Sequence, residues 1–129
     1  MEMGKSKLKL EYPLKSASVN ILWNKIGTPL GLSEWFANEV LVNDNKYLFK
    51  WENYEEAAYL LENKPLIKIR FRWEDEEEKD TYFELKIENN ELTGEISLVV
   101  TDFINENEKE DAILLWDKQI DELKRKTGM

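Results

Sequence analysis

Side chains able to do chemistry are scarce here, and the scarcity is informative. Among 129 residues there is no cysteine and no histidine. Thiolate nucleophiles, disulfides and cysteine-based metal sites are thereby excluded. So are Ser/His/Asp catalysis and imidazole, the commonest metal ligand. Carboxylates remain, 27 of them against 18 Lys and Arg. Paired-carboxylate catalysis needs two in an apolar cleft with pKa values driven apart. Every Asp and Glu in this sequence falls in a polar-patterned position or a turn. The densest acidic run, Glu74 to Asp80, reads EDEEEKD. It lacks the ordered Asp-x-Asp-x-Asp-Gly spacing of a calcium loop. A solvated hairpin tip, whose charge discourages edge-to-edge aggregation, is the expectation. The five glycines are scattered and form no phosphate cradle. No catalytic residue, metal ligand or cofactor is assigned.

Aromatic surface, by contrast, is abundant: five Trp, five Tyr and five Phe. Trp23, Trp35, Phe36, Phe49, Phe71, Trp73, Phe83 and Trp116 either line a pocket for an apolar ligand or fill the core, since aromatics serve both ends. Tyr47, Trp51 and Tyr59 suit polar contacts inside an apolar cavity, because buried hydroxyl and indole groups seek partners. Leu98 and Ile120 complete the candidate lining. A second group, Lys68, Arg70 and Arg72, forms a basic row. It either docks an acidic partner or pairs with charges such as Glu84 on a neighbouring strand.

These side chains need elements to position them. Residues 7–14 alternate, with Leu8, Leu10 and Tyr12 on one face, and predict a half-buried strand that Pro13 places at an edge or end. Ser16 or Ser18 can cap a helix carrying Val19, Leu22, Trp23 and Ile26 on one face. Gly27 is expected to end that helix in a left-handed cap, and Pro29 to start a second one through Leu32, Trp35 and Phe36. From residue 39 the period becomes two. Strands are expected at 39–43 and 46–51 around an Asn43-Asp44-Asn45 turn, then at 54–63, 66–73 and 81–87. A long strand over 91–103 places Leu92, Ile96, Leu98 and Val100 on one side, with Gly94 marking a bulge or bend. Asn107 and Glu110 have the spacing of a capping box for a terminal helix whose stripe is Ile113, Trp116, Ile120 and Leu123. Lys124, Arg125 and Lys126 oppose the negative end of its dipole, and Gly128 terminates it.

The length fits one domain over 1–129, enough to bury about two-thirds of the unfolded chain's surface. A net charge of −9 repels phosphate backbones, which disfavours nucleic acid and anionic membranes as partners. The start of the chain has no signal-like apolar stretch, and no apolar run approaches a membrane span. A cytoplasmic protein is the expectation.

The order strand, two helices, six strands, helix is α+β. Together with Trp23, Pro29-Leu30-Gly31-Leu32 and Trp35-Phe36, it resembles the START-like (SRPBCC) superfamily. Within that superfamily it looks closest to the group related to the activator of the heat-shock chaperone ATPase. Glu55-Glu56-Ala57 and Arg70-Phe71-Arg72-Trp73 match strand motifs of that group. The resemblance covers nearly the whole chain. It implies a helix-grip fold, in which a curved antiparallel sheet of about seven strands (β-α-α-β6-α) wraps a long C-terminal helix. It also implies an apolar pocket between the two. Where look-alikes often carry a His and a Gly-rich stretch, residues 101–112 read TDFINENEKEDA. The expected function is therefore a non-catalytic binding domain for a lipid-like or other small hydrophobic ligand. The alternatives are a chaperone-associated protein-interaction module, and an enzyme acting on an apolar substrate without His or Cys.

Overall fold

The computed structural model describes residues 4–15 and 17–129. Seven strands and three helices follow in the expected order. They are β1 (Ser6–Leu14), α1 (Val19–Ile26), α2 (Pro29–Trp35), β2 (Glu39–Asn43), β3 (Lys46–Lys50), β4 (Glu55–Lys64), β5 (Lys68–Trp73), β6 (Phe83–Asn89), β7 (Ile96–Ile104) and α3 (Lys109–Thr127). All strands join one antiparallel sheet in the order β1-β7-β6-β5-β4-β3-β2. Strands β2 to β7 form a meander, and β1 crosses to pair with β7. Leu10 stands opposite Val100, Tyr12 opposite Leu98 and Leu14 opposite Ile96. From Leu10 to Leu14 the apolar row of β1 thus meets an apolar row of β7. Burying both rows together stabilises this register, because a one-residue slip would turn them to water. The sheet packs its inner face on α3, whose Trp116, Ile120 and Leu123 are buried. This is the helix-grip arrangement.

Local chemistry explains the helical entry. Ser18 caps α1 by accepting from the Ile21 N–H at 3.4 Å; Ser16, the other candidate, lies outside the described residues. Thr28 Oγ1 accepts from the Gly31 N–H at 3.0 Å, and Pro29 occupies the first turn of α2. Gly27 does close α1, its N–H bonding the Trp23 carbonyl at 2.7 Å. Its φ is −101°, however, so handedness is not why glycine stands there. A Cβ on Gly27 would meet the Trp23 ring at 2.3 Å. The indole lies over the space a side chain would fill.

Three other expectations are corrected. The strand expected over 91–103 begins only at Ile96. Asn90 instead nucleates a turn: its Oδ1 accepts from the Leu92 and Thr93 N–H groups at 3.0 and 3.3 Å. Gly94 closes that turn at φ 75° rather than bending a strand, and Leu92 is 97% exposed. Strand β5 starts at Lys68, not 66, because Leu66 takes φ 68° in the turn after Pro65. The Asn107–Glu110 capping box is not formed. Asn107 lies inside a short 3-10 turn (Glu106–Glu108), and α3 begins after it with no side-chain cap. Gly128 does end α3 in the left-handed conformation expected of it, at φ 73°.

Beneath the sheet Phe49, Phe71, Leu85, Leu98 and Ile120 are completely buried. Each such side chain contributes roughly 1.5–3 kcal/mol by leaving water. On the outer face the basic row is engaged within the molecule. Arg70 Nη2 lies 2.7 Å from Glu84, and Lys68 lies 2.9 Å from Glu62. The Arg70 guanidinium also covers the Tyr82 ring at 4.0 Å.

Candidate functional site

A groove of about 700 Å³ opens between the end of α2, the inner face of the sheet and α3. Aromatic rings form much of its lining. The ring of Phe36, just after α2, sits 5.8 Å from Trp51, 5.8 Å from Phe83 and 5.9 Å from Trp116. Trp73, at the end of β5, stacks on Phe83 at 4.7 Å. Tyr54 stacks on Trp51 at 4.9 Å. The frame is held by one carbonyl. Phe36 O accepts from Trp51 Nε1 at 2.9 Å and from Gln119 Nε2 at 3.2 Å, which ties α2 to both the sheet and α3. Trp35 Nε1 donates to the Lys25 carbonyl at 2.8 Å and so braces α2 against α1.

Of the residues singled out in the sequence, Trp35, Phe36, Trp51, Trp73, Phe83 and Trp116 come together in this groove. Tyr47, Phe49, Phe71, Leu98 and Ile120 lie buried beneath it as packed core. Trp23 packs over Gly27 on α1, outside the lining. Tyr59 does not enter the interior. Its neighbour Ala58 faces the core, so alternation turns Tyr59 outward. There it is 38% exposed and donates to Glu74 Oε2 at 2.8 Å, with the Lys46 ammonium 5.9 Å from its ring centre.

Among the lining residues that went unrecognised in the sequence are Tyr54, Gln119 and two carboxylates on the inner sheet face. Glu56 stands opposite Phe49 in the β3–β4 register and shares that inward face. Asp102 has the parity of Leu98 and Val100 on β7 and stands opposite Leu8 on β1. Period-two counting was the signal that could have found them, and it corrects the assignment of every carboxylate to a polar position or turn. Asp102 Oδ2 accepts from Trp116 Nε1 at 3.0 Å, and its Oδ1 accepts from the Phe103 N–H at 2.8 Å. Burial nonetheless dominates and raises its pKa above the ordinary carboxylate value, with the charge of Glu76 adding to the rise. The two hydrogen bonds and Lys5 act in the opposite direction. The Glu56 carboxyl is also raised, first by burial and then by Asp75, against the lowering effect of Lys5.

The acidic run 74–80 is pinned to the body of the protein. Lys5 pairs with Glu76, and Lys46 lies 2.8 Å from Glu74. Among the described residues no group of His, Cys, Asp and Glu is arranged to hold a metal ion, and no helix is long and apolar enough to cross a membrane.

The profile of the START-like superfamily domain matches residues 2–129. The chain belongs to the START-like superfamily. Among solved START-like and related structures, the chain is 42% identical to the Bacteroides fragilis protein BfR322, covering 96% of this chain and 92% of that one, with a TM-score of 0.68. It also resembles Aha1, solved as a dimer, from Colwellia psychrerythraea. That match has 15% identity, 88% and 93% coverage and a TM-score of 0.66. A third is DynU16, a putative protein of the dynemicin biosynthetic locus, at 14% identity and TM-score 0.77, covering 95% of this chain and 48% of that one. The last two likenesses concern the fold alone. No curated protein matches the sequence.

Within this START-like domain the sign of the Asp102 effect is testable. A carboxyl whose pKa is raised in the folded state contributes most to stability below its unfolded value, near 3.8. That contribution is lost as pH rises through the folded pKa. The Asp102→Asn variant does not titrate. Its stability relative to the parent protein should therefore climb between acid and neutral pH. Urea denaturation of both proteins across that range measures it; a flat or falling difference would contradict burial as the dominant influence.

Proposed function

We propose that this chain is a START-like binding domain that holds a small hydrophobic ligand in the groove beside Trp51, Trp73, Phe83 and Trp116. The groove itself carries the reading: its volume falls in the range of about 300–1,000 Å³ usual for small-molecule sites, and seven of its seventeen lining residues are aromatic. START-like folds commonly bind hydrophobic ligands, which supports it. We read residues 1–129 as one such domain. A carrier or sensor role in the cytoplasm agrees with a surface rich in charge, 35% of residues.

A protein-interaction role is the second reading. Leu114 and Leu115 are exposed side by side on α3, and Leu115 reaches the groove rim. A chaperone as the partner rests on the sequence resemblance alone, and DynU16's biosynthetic locus is likewise a property of that protein.

A thermal-shift panel of neutral apolar compounds, for example 2-naphthol, flavone and decanol, tests the leading reading. At a hundredfold excess over its Kd, a true ligand stabilises the fold by about 2.7 kcal/mol, a shift of several degrees. If no member moves the midpoint, ligand binding in the groove is wrong.

A further inference from the structure

The charges around the groove narrow what it can hold. Its lining contains four carboxylates, Glu34, Glu56, Asp102 and Glu122, and one ammonium, Lys126. The two at the rim are already engaged, Glu34 with Lys25 and Glu122 with Arg125. The two on the inner face are not matched in this way. Glu56 and Asp102 form no ion pair among the described residues, and the nearby Lys5 ammonium is taken by Glu76. Asp102 is held in place by Trp116 Nε1 and the Phe103 N–H, both neutral donors. The same groove is lined by the π-systems of Trp73, Trp116 and the stacked Trp51–Tyr54 pair.

Aromatic faces and carboxylates attract the same kind of guest. A ring face draws a cation through its quadrupole, and a half-buried carboxylate draws it by charge at low effective dielectric. A carboxylate ligand such as a fatty acid would instead meet two like charges in the groove and a chain of net charge −9.

We propose that the ligand class of this groove is the organic amine: a flat apolar body carrying a protonated nitrogen that sits between Glu56, Asp102 and the surrounding tryptophans. This rests on the reading of the groove as a ligand site and specifies its chemistry.

Three probes with one ring system separate the possibilities: 2-naphthylmethylamine, 2-naphthylmethanol and 2-naphthoate, titrated calorimetrically into the full-length protein at neutral pH. The amine is expected to bind about tenfold more tightly than the alcohol, in line with a desolvated cation–π and ionic contact, and the naphthoate more weakly than either. Glu56→Gln and Asp102→Asn should each weaken the amine several-fold more than they weaken the alcohol. An alcohol that binds as tightly as the amine, or a naphthoate that binds best, overturns the amine assignment while the apolar groove stands. If none of the three binds, the groove reading falls with it. The comparison on the parent protein decides the matter even if a variant does not fold.

Discussion

Replacing Phe49 with alanine should remove about 3–5 kcal/mol of stability, a large share of the roughly 5–15 kcal/mol that holds a domain of this size together. Phe49, on β3, is completely buried on the inner sheet face. Its ring meets Phe36 at 5.1 Å, Phe71 at 5.6 Å and Trp73 at 5.8 Å, all edge-on, with Tyr47 and Trp51 tilted beside it. Aromatic neighbours of this shape close poorly over a lost ring, so a cavity would remain and the dispersion contacts would be forfeited. Phe49→Leu should cost considerably less, because it keeps most of the volume. Equilibrium urea unfolding compares the three proteins. An alanine variant within 1 kcal/mol of the parent would mean that this aromatic layer is not the centre of the core, and the groove above it would lose its rigid floor.

The second large effect is expected at Gly31. On helix propensity alone, Gly31→Ala within α2 would stabilise by about 1 kcal/mol. The packing of α2 on α1 reverses that sign. A Cβ at Gly31 would fall 1.9 Å from the Asn24 carbonyl oxygen and 2.7 Å from Lys25 Cα, both backbone atoms that no rotamer change can move. The two helices would have to separate, and the Trp35 indole would be drawn off the Lys25 carbonyl it now bonds at 2.8 Å. The variant should be less stable than the parent by about 3 kcal/mol, the upper part of the usual range for overpacking. Because Trp35 and Phe36 frame the groove, binding of the ligand proposed for it should weaken as well. A rise in midpoint on thermal unfolding would contradict the close helix contact.

Much of this architecture was legible in period alone. The alternation of Leu8, Leu10 and Tyr12, and of Ile69, Phe71 and Trp73, is sufficient to define two strands, and Leu10 and Tyr12 stand opposite Val100 and Leu98, Ile69 and Phe71 opposite Leu85 and Phe83. Misreadings arose where a local hydrogen bond overrode the pattern. Leu92 shares parity with Ile96, but the Asn90 side chain captures two backbone N–H groups and turns the chain before the strand can start. Gly27 looked like a left-handed cap, yet its reason is the Trp23 ring above it. At the site, the aromatic half was readable and the carboxylate half was not. Glu56 follows Glu55 and Asp102 follows Thr101, so composition made them look solvated, whereas their parity turns them inward. Tyr59 failed for the converse reason: an amphipathic ring suits either face, and the position of Ala58 decides which.

The absence of His and Cys gave holding a ligand preference over transforming one. The groove lends that preference a location, and Glu56 and Asp102 lend it a chemical character. The five tryptophans provide direct reporters, because each indole N–H gives its own resonance. Titration with neutral 2-naphthol, followed by proton–nitrogen correlation spectra, reads them one by one. Binding in the groove should shift the indole signals of Trp51, Trp73 and Trp116 together and to saturation, while that of Trp23, on α1 and outside the lining, stays in place. Signals that stay unmoved up to the solubility limit, or a Trp23 signal that moves as far as the others, would contradict a ligand site between the helix and the sheet.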